Sequence, residues 1–286
     1  MKIRSILACV IGIVFSGQLY AQTNVDFNFQ YNGHNRTCRL YIPASYDGSR
    51  AVPLVISYHG FGDNGPAEEA YDHVGSIADT ENFLVAYPTA YRHVWNAGAD
   101  YYGRWTTEDE VTFTSDLIDI IAHNFNVDLT RVYVCGISNG GDMVYRLACE
   151  LNNRIAAVAS VAGSMITDIY SSCNPAYHMP IVHFHGTADR YTPIEGGPEF
   201  LNLYDTIALW YQINSCVKST STLLPDLDPK DRTRVTLYES TSDKNAPYFL
   251  YLVNHGGHNW PGTPYNKYTA HAFGYTCDDI DASVEM

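Results

Sequence analysis

The sequence predicts an α/β protein, a single domain with a mostly parallel central sheet and helices on both faces. Three observations carry this. Short apolar, β-branched runs alternate with helix-period segments along the chain. Several runs end in loops that hold Ser, Asp or His, and in parallel sheets chemistry gathers at the C-terminal strand ends. The composition, 46% hydrophobic and 17% charged, excludes disordered, collagenous and coiled-coil readings.

Residues 1–21 read as a secretory signal peptide. Lys2 and Arg4 precede the apolar run Ile6 to Phe15, and Ala21 supplies a small residue for cleavage before Gln22. That run is too short to span a bilayer, and Cys9 sits too early in it for a lipoprotein box. Residues 22–286 then form the folded domain. Phe27 to Pro43 alternates around Gly33-His34-Asn35, as an edge hairpin would. Val52 to Tyr58 is a central strand ending at His59-Gly60. A helix over Glu68 to Ala78 leads to a strand from Phe83 to Tyr87, closed by Pro88. Thr114 to Asn124 has helical spacing, Arg131 to Cys135 is a strand, and Met143 to Leu151 a helix. Strands follow at Ile155 to Val161 and Ile181 to His185. Then come a helix at Tyr204 to Ile213 and strands at Thr233 to Tyr238 and Tyr248 to Val253.

Charge limits the partners. Asp and Glu number 31 against 17 Lys and Arg, a formal charge of −14, which repels phosphate backbones and anionic lipids. Nucleic acid and membrane are therefore not expected partners. Export changes how the cysteines read, because an oxidising compartment favours pairing. Cys149 and Cys173 flank one strand and form the favoured bridge, whereas Cys135 lies in an apolar strand as a buried thiol.

Gly136-Ile137-Ser138-Asn139-Gly140 is a G-x-S-x-G between a β-branched strand and a helix, the context of a nucleophile elbow. A plain glycine-rich turn with a capping serine is the bland alternative. The partners weigh against it. His59-Gly60-Phe61-Gly62 follows an early strand, so the backbone N–H groups of Phe61 and Asn139 are the expected oxyanion donors. A serine hydroxyl needs a histidine base, and the histidine needs a carboxylate. Asp189 follows a strand at the expected point after Ser138, whereas Asp205 and Asp226 do not. For the base, His258 lies deeper in its glycine-flanked loop than His255. His183 and His185 share a strand face but lack a third ligand, so no metal and no cofactor is expected. Trp95, Trp105 and Trp260, with Tyr101 and Tyr102, are candidates to stack on a substrate ring.

Together these residues resemble the secreted esterases grouped around polyhydroxybutyrate depolymerases and feruloyl or acetylxylan esterases, of the carbohydrate esterase family one type. The likeness runs from about Arg36 to Ser283. It rests on His59-Gly60-Phe61-Gly62-Asp63-Asn64, Trp95-Asn96, Asp109-Glu110-Val111, Arg131 to Val134, Gly136 to Met143, Arg146 to Cys149, His185 to Asp189 and Gly256 to Gly262. The resemblance implies a single α/β-hydrolase domain with a triad of Ser138, Asp189 and His258 acting through an acyl-enzyme. It also implies an ester substrate, feruloyl or acetyl groups on plant polysaccharide, with polyhydroxyalkanoate as the alternative. Phe61 stands where the family often has Cys, which changes the pocket rather than the backbone donor. Similar proteins continue the final segment as a helix, so the chain reads as truncated at Met286. A serine peptidase of this fold lacks room for its usual upstream domain before Ser138. A non-catalytic binding protein would be expected to have lost a triad member.

Overall fold

The computed structural model describes residues 22–100, 103, 106–263 and 270–286. Strands β1 (Thr23–Tyr31) and β2 (His34–Ile42) form the edge hairpin, in register from Thr23↔Ile42 to Tyr31↔His34. Next come β3 (Val52–Tyr58), helices α1 (Gly65–Asp72) and α2 (Val74–Glu81), β4 (Leu84–Thr89) and α3 (Glu110–Asn124). The middle holds β5 (Val127–Ile137), α4 (Asn139–Glu150), β6 (Ala157–Val161), α5 (Thr167–Ser172), β7 (Ile181–Gly186) and α6 (Leu203–Ile213). The chain finishes with β8 (Cys216–Leu223), β9 (Arg234–Ser242), β10 (Tyr248–Asn254), α7 (Ala270–Phe273) and α8 (Ala282–Glu285).

All ten strands join one sheet in the order β1-β2-β4-β3-β5-β6-β7-β10-β9-β8. The run from β4 to β10 is parallel, and the antiparallel pairs β1–β2 and β8–β9 close its two ends. A parallel sheet must be covered on both faces, and two apolar clusters do this. The larger packs Leu54, Ile56, Val134, Met143 and Leu147 against Phe113, Leu117 and Ile121 of α3. The smaller gathers Val85, Tyr87, Val161, Phe184, Val253 and Trp260 on the opposite face. Each fully buried Leu, Ile or Phe contributes roughly 1.5–3 kcal/mol over its exposed state. Asp109 caps α3 by accepting the Thr112 N–H. Beside that cap Arg36 and Glu110 form a fully buried ion pair at 2.9 Å, with the guanidinium 3.7 Å above the Phe113 ring.

Three expectations change. The helix over Glu68 to Ala78 is two helices, because His73 adopts a left-handed conformation (φ 57°) and Asp72 Oδ1 takes the Val74 N–H to start the second. The strand expected to close at Pro88 runs through it. Pro88 faces Cys38 of β2, past the point where β4 leaves β3, so its missing N–H breaks no ladder there. The final segment, a stub from Asp281 that by its length is expected to be too short for a stable helix, forms a single helical turn capped by Asp281. Strand β8 and helix α5 had no expectation. β8 is almost wholly exposed and mostly Ser, Thr and Lys, with Val217 and Leu223 isolated on it, so it shows no apolar alternation.

Cys149 and Cys173 are bonded, tying the last turn of α4 to the end of α5 across β6. Cys38, Cys135 and Cys277 are buried thiols, and Cys216 is half-buried. Burial raises all three buried thiols above the usual cysteine range. The bridge closes a loop with a sequence separation of 24. Replacing both partners by alanine should therefore cost about 3 kcal/mol. In a protein of this size that is a fall in Tm on the order of 5–10 °C by calorimetry.

Candidate active site

Ser138 stands on the turn from β5 into α4 with φ 56° and ψ −124°, a conformation that costs a residue with a side chain on the order of 1–3 kcal/mol. Its backbone is fixed at both sides: its N–H donates to Val161 O, and its carbonyl accepts from Asp142 N. The turn is pressed onto β3. A Cβ on Gly140 would fall 2.0 Å from Tyr58 O, so only glycine fits there. This contact brings the loop after β3 alongside the serine, with the Gly60 side of the loop next to Ser138 Cβ.

That loop is held by His59. Its Nδ1–H donates to Gly60 O at 2.7 Å, and its Nε2 accepts the Ala90 N–H at 3.0 Å. Burial pushes the ring down to about 3, so it stays neutral and structural. Asn139, after the serine, clamps Trp95 with both ends of its amide, accepting Trp95 N–H at 2.8 Å and donating to Trp95 O at 3.1 Å. The Trp95 indole N–H in turn donates to His59 O at 3.0 Å. Elbow, Trp95 segment and His59 loop are thus one hydrogen-bonded circuit. Phe61 and Ser138 both line the cleft above it.

On the far side of the cleft, Asp189 and His258 come together from the loops after β7 and β10. His258 Nδ1–H donates to Asp189 Oδ2 at 2.8 Å, while Asp189 Oδ1 accepts the N–H groups of Tyr191 and Thr192. Burial alone would raise the Asp189 carboxyl. The hydrogen bond and charge of His258, with His185 and the Thr192 N–H, outweigh it and hold the acid below its usual range. The two loops touch backbone to backbone, since a Cβ on Gly186 would fall 2.3 Å from Gly256 O. His258 N–H also donates to Phe273 O. His255 lies on an exposed turn, Asp205 gives its backbone N–H to the α6 cap Asn202, and Asp226 pairs with Arg234. None of these three meets His258.

Two sequence expectations are corrected. Trp95 and Trp260 are 0% exposed and cannot stack on a substrate. Trp95 braces the circuit described above. Trp260 braces the His258 loop, its backbone N–H donating to Tyr71 Oη and its indole N–H to Ser283 Oγ. The G-G-H-N-W-P-G run marked an important loop, but its tryptophan serves the scaffold. Trp105, Tyr101 and Tyr102 lie outside the described residues. The cleft, about 700 Å³, is instead walled by Phe61, Tyr71, Tyr191, Phe200 and Phe273. Only position in the fold distinguishes these aromatics from the others in the chain.

His183 and His185 have no lone pair left for a metal. His185 Nε2–H donates to Thr192 O at 2.8 Å, so its Nδ1 must accept from His183 Nε2–H at 3.0 Å. His183 Nδ1 then accepts from Tyr145 Oη at 2.6 Å. This buried chain ends on the loop that carries Asp189. Among the described residues, Asp231, Cys277 and Asp279 form a group with metal-ligand chemistry. Their carboxylates already hold the N–H groups of Thr233, Asp278, Leu227 and Asp228.

The Esterase family, described as "Putative esterase", matches residues 30–260. Feruloyl esterase B of Piromyces equi is 27% identical over 234 residues, 76% of this chain and 41% of that protein. Poly(3-hydroxyalkanoate) depolymerase C of Paucimonas lemoignei is 27% identical over 163 residues, 54% of this chain and 38% of that protein. The chain therefore spans less than half the length of these curated relatives. Among solved structures, the acetyl xylan esterase of Aspergillus awamori superposes with a TM-score of 0.57 at 13% identity, covering 82% of this chain and 93% of that one. At that identity the superposition establishes the α/β-hydrolase fold.

The strain at Ser138 has a measurable consequence. Glycine tolerates the positive φ, so Ser138→Gly should be about 1–2 kcal/mol more stable than Ser138→Ala in urea unfolding. Equal stabilities would place no strain at this residue.

Proposed function

The chain belongs to the Esterase family, and we propose that it is a secreted serine carboxylic-ester hydrolase that works through an acyl-enzyme. The observation that carries this reading is the Asp189–His258 hydrogen bond, opening on the same cleft as a serine held on a strained strand-to-helix turn. With Nδ1–H committed to Asp189, His258 keeps Nε2 free to take the Ser138 proton. The serine oxygen attacks the ester carbonyl, and the Phe61 and Asn139 backbone N–H groups stabilise the oxyanion. Protonated His258, stabilised by ionised Asp189, returns the proton to the leaving alcohol. Water then enters, loses a proton to His258, and releases the acid from Ser138. No step calls for a metal or cofactor.

For the substrate, feruloyl or acetyl esters of plant polysaccharide fit best. The named activity of the Piromyces equi relative and the aromatic walls of the cleft support this reading. Polyester cleavage is the second reading, favoured by the depolymerase relative. Export is part of the proposal: residues 1–21 are removed near Ala21, and the Cys149–Cys173 bridge suits an oxidising compartment. Among the described residues no helix is long and apolar enough to cross a membrane.

Initial rates on methyl ferulate, acetylated xylan and polyhydroxybutyrate, with Ser138→Ala as blank, test the reading. Preference for either plant-wall ester is expected; hydroxybutyrate release alone would transfer the protein to the depolymerases. Asp189→Asn should lower kcat by about 10⁴-fold, because an amide no longer fixes the His258 tautomer. Retention of most activity in that variant would remove Asp189 from the triad.

A further inference from the structure

Helix α1 carries three acidic side chains, and two are satisfied. Glu69 pairs with Arg39 and accepts from Asn24, and Asp72 accepts from Ser57, Tyr87 and the Val74 N–H. Glu68 differs. It is 1% exposed, it lines the catalytic cleft, and its Oε1 is shut off from solvent with no hydrogen-bond partner among the described residues. A buried polar atom left unmet costs folding free energy, and such groups persist where a ligand satisfies them.

The place of Glu68 in the cleft is fixed at both ends of α1. Asn64 caps the helix just after the loop that carries Phe61, and Tyr71, one turn beyond Glu68, accepts the Trp260 N–H from the His258 loop. Glu68 therefore stands on the wall between the expected oxyanion donors and the expected base. Burial first, then the neighbouring carboxylates of Asp72 and Asp63, hold its carboxyl well above the usual range. A protonated carboxyl presents one O–H donor and one carbonyl acceptor side by side. Its natural complement is a hydroxyl, which both accepts and donates.

We infer that Glu68 is a substrate-binding residue whose carboxyl hydrogen-bonds a hydroxyl of the ester substrate. The hydroxyl belongs either to a phenolic acyl group or to the sugar that forms the alcohol part. The inference rests on the serine-esterase reading and names one contact within it. It also gives this cleft selectivity that aromatic walls alone cannot supply, because a site built to bond a hydroxyl rejects the analogue that lacks it.

The test uses the full chain and two matched ester pairs: methyl 4-hydroxycinnamate with methyl cinnamate, and a monoacetylated methyl xyloside with cyclohexyl acetate. Ser138-dependent hydrolysis of any of the four esters tests the serine-esterase reading by itself; if none is hydrolysed that reading falls, and this inference with it. Glu68 is read from the ratio of kcat/KM within each pair. Glu68→Met should lower that ratio about tenfold or more in one pair, and the pair that responds identifies the acyl or the alcohol side. Glu68→Gln keeps a neutral donor and acceptor and should hold the ratio within about threefold of wild type. Glu68→Met should also raise Tm, since it removes an unmet polar group, whereas a structural role for Glu68 predicts a fall. If the Met variant does not fold, Glu68→Asp, which withdraws the carboxyl by one methylene, must show the same loss of ratio. Unchanged ratios in both pairs overturn the inference.

Discussion

The site depends on one backbone contact, the approach of Gly140 to the Tyr58 carbonyl. With 2.0 Å between that oxygen and any Cβ on Gly140, the turn after β5 and the end of β3 can meet only through glycine. Because they meet, Ser138 stands beside Gly60, and Asn139 lies within reach of the Trp95 backbone. Trp95 then reaches His59, and His59 reaches Ala90 at the end of β4. Three adjacent strand ends are thus joined by side chains that each satisfy a buried backbone group. Every donor and acceptor named in that circuit has a partner, the condition under which a buried polar network rigidifies a fold.

The second half of the site repeats the device with different residues. Gly186 and Gly256 press the Asp189 loop onto the His258 loop, and the two-histidine chain behind them orients the Thr192 carbonyl. Thr192 and Tyr191 supply the N–H groups that fix one Asp189 oxygen and leave the other for His258. The direction of hydrogen bonding is set along the whole chain, since a carbonyl at one end can only accept. A pair of histidines that resembles a metal site in the sequence thereby becomes part of the scaffold for a carboxylate. Geometry is imposed here by main-chain contact and directed hydrogen bonds, with apolar packing holding the layers from outside.

Much of this was legible in the sequence, and the reasons differ by residue. The central strands are apolar runs with clear ends, so Val52 to Tyr58 is found without error. Ser138, Asp189 and His258 stood out because each follows such a run in a glycine-bearing loop. Strand β8 was illegible because an exposed edge strand composed mostly of Ser, Thr and Lys has no continuous apolar face to reveal it. The break at His73 depends on a local competition that a periodic pattern hides. Trp95 and Trp260 misled because an indole with a polar N–H is equally at home on a sugar and in a hydrogen-bonded core. Glu68 carries no signal at all: its neighbour Glu69 has the same chemistry and an ordinary surface pairing.

The cysteines close the account with a consequence for biogenesis. One bridge joins α4 to α5, while Cys38, Cys135 and Cys277 end as protonated, enclosed thiols. Exchange requires a thiolate with access to a sulfur, and in the finished protein these three have neither. Scrambling through these three is therefore open to the nascent chain and closed to the mature one. Sheet closure acts as a proofreading step: once β2, β5 and the segment around Cys277 are in place, the Cys149–Cys173 bridge is out of reach of these three thiols, and among the described residues the half-buried Cys216 is the free thiol left nearest to solvent. A chain that lingers half-assembled in an oxidising compartment forfeits that protection.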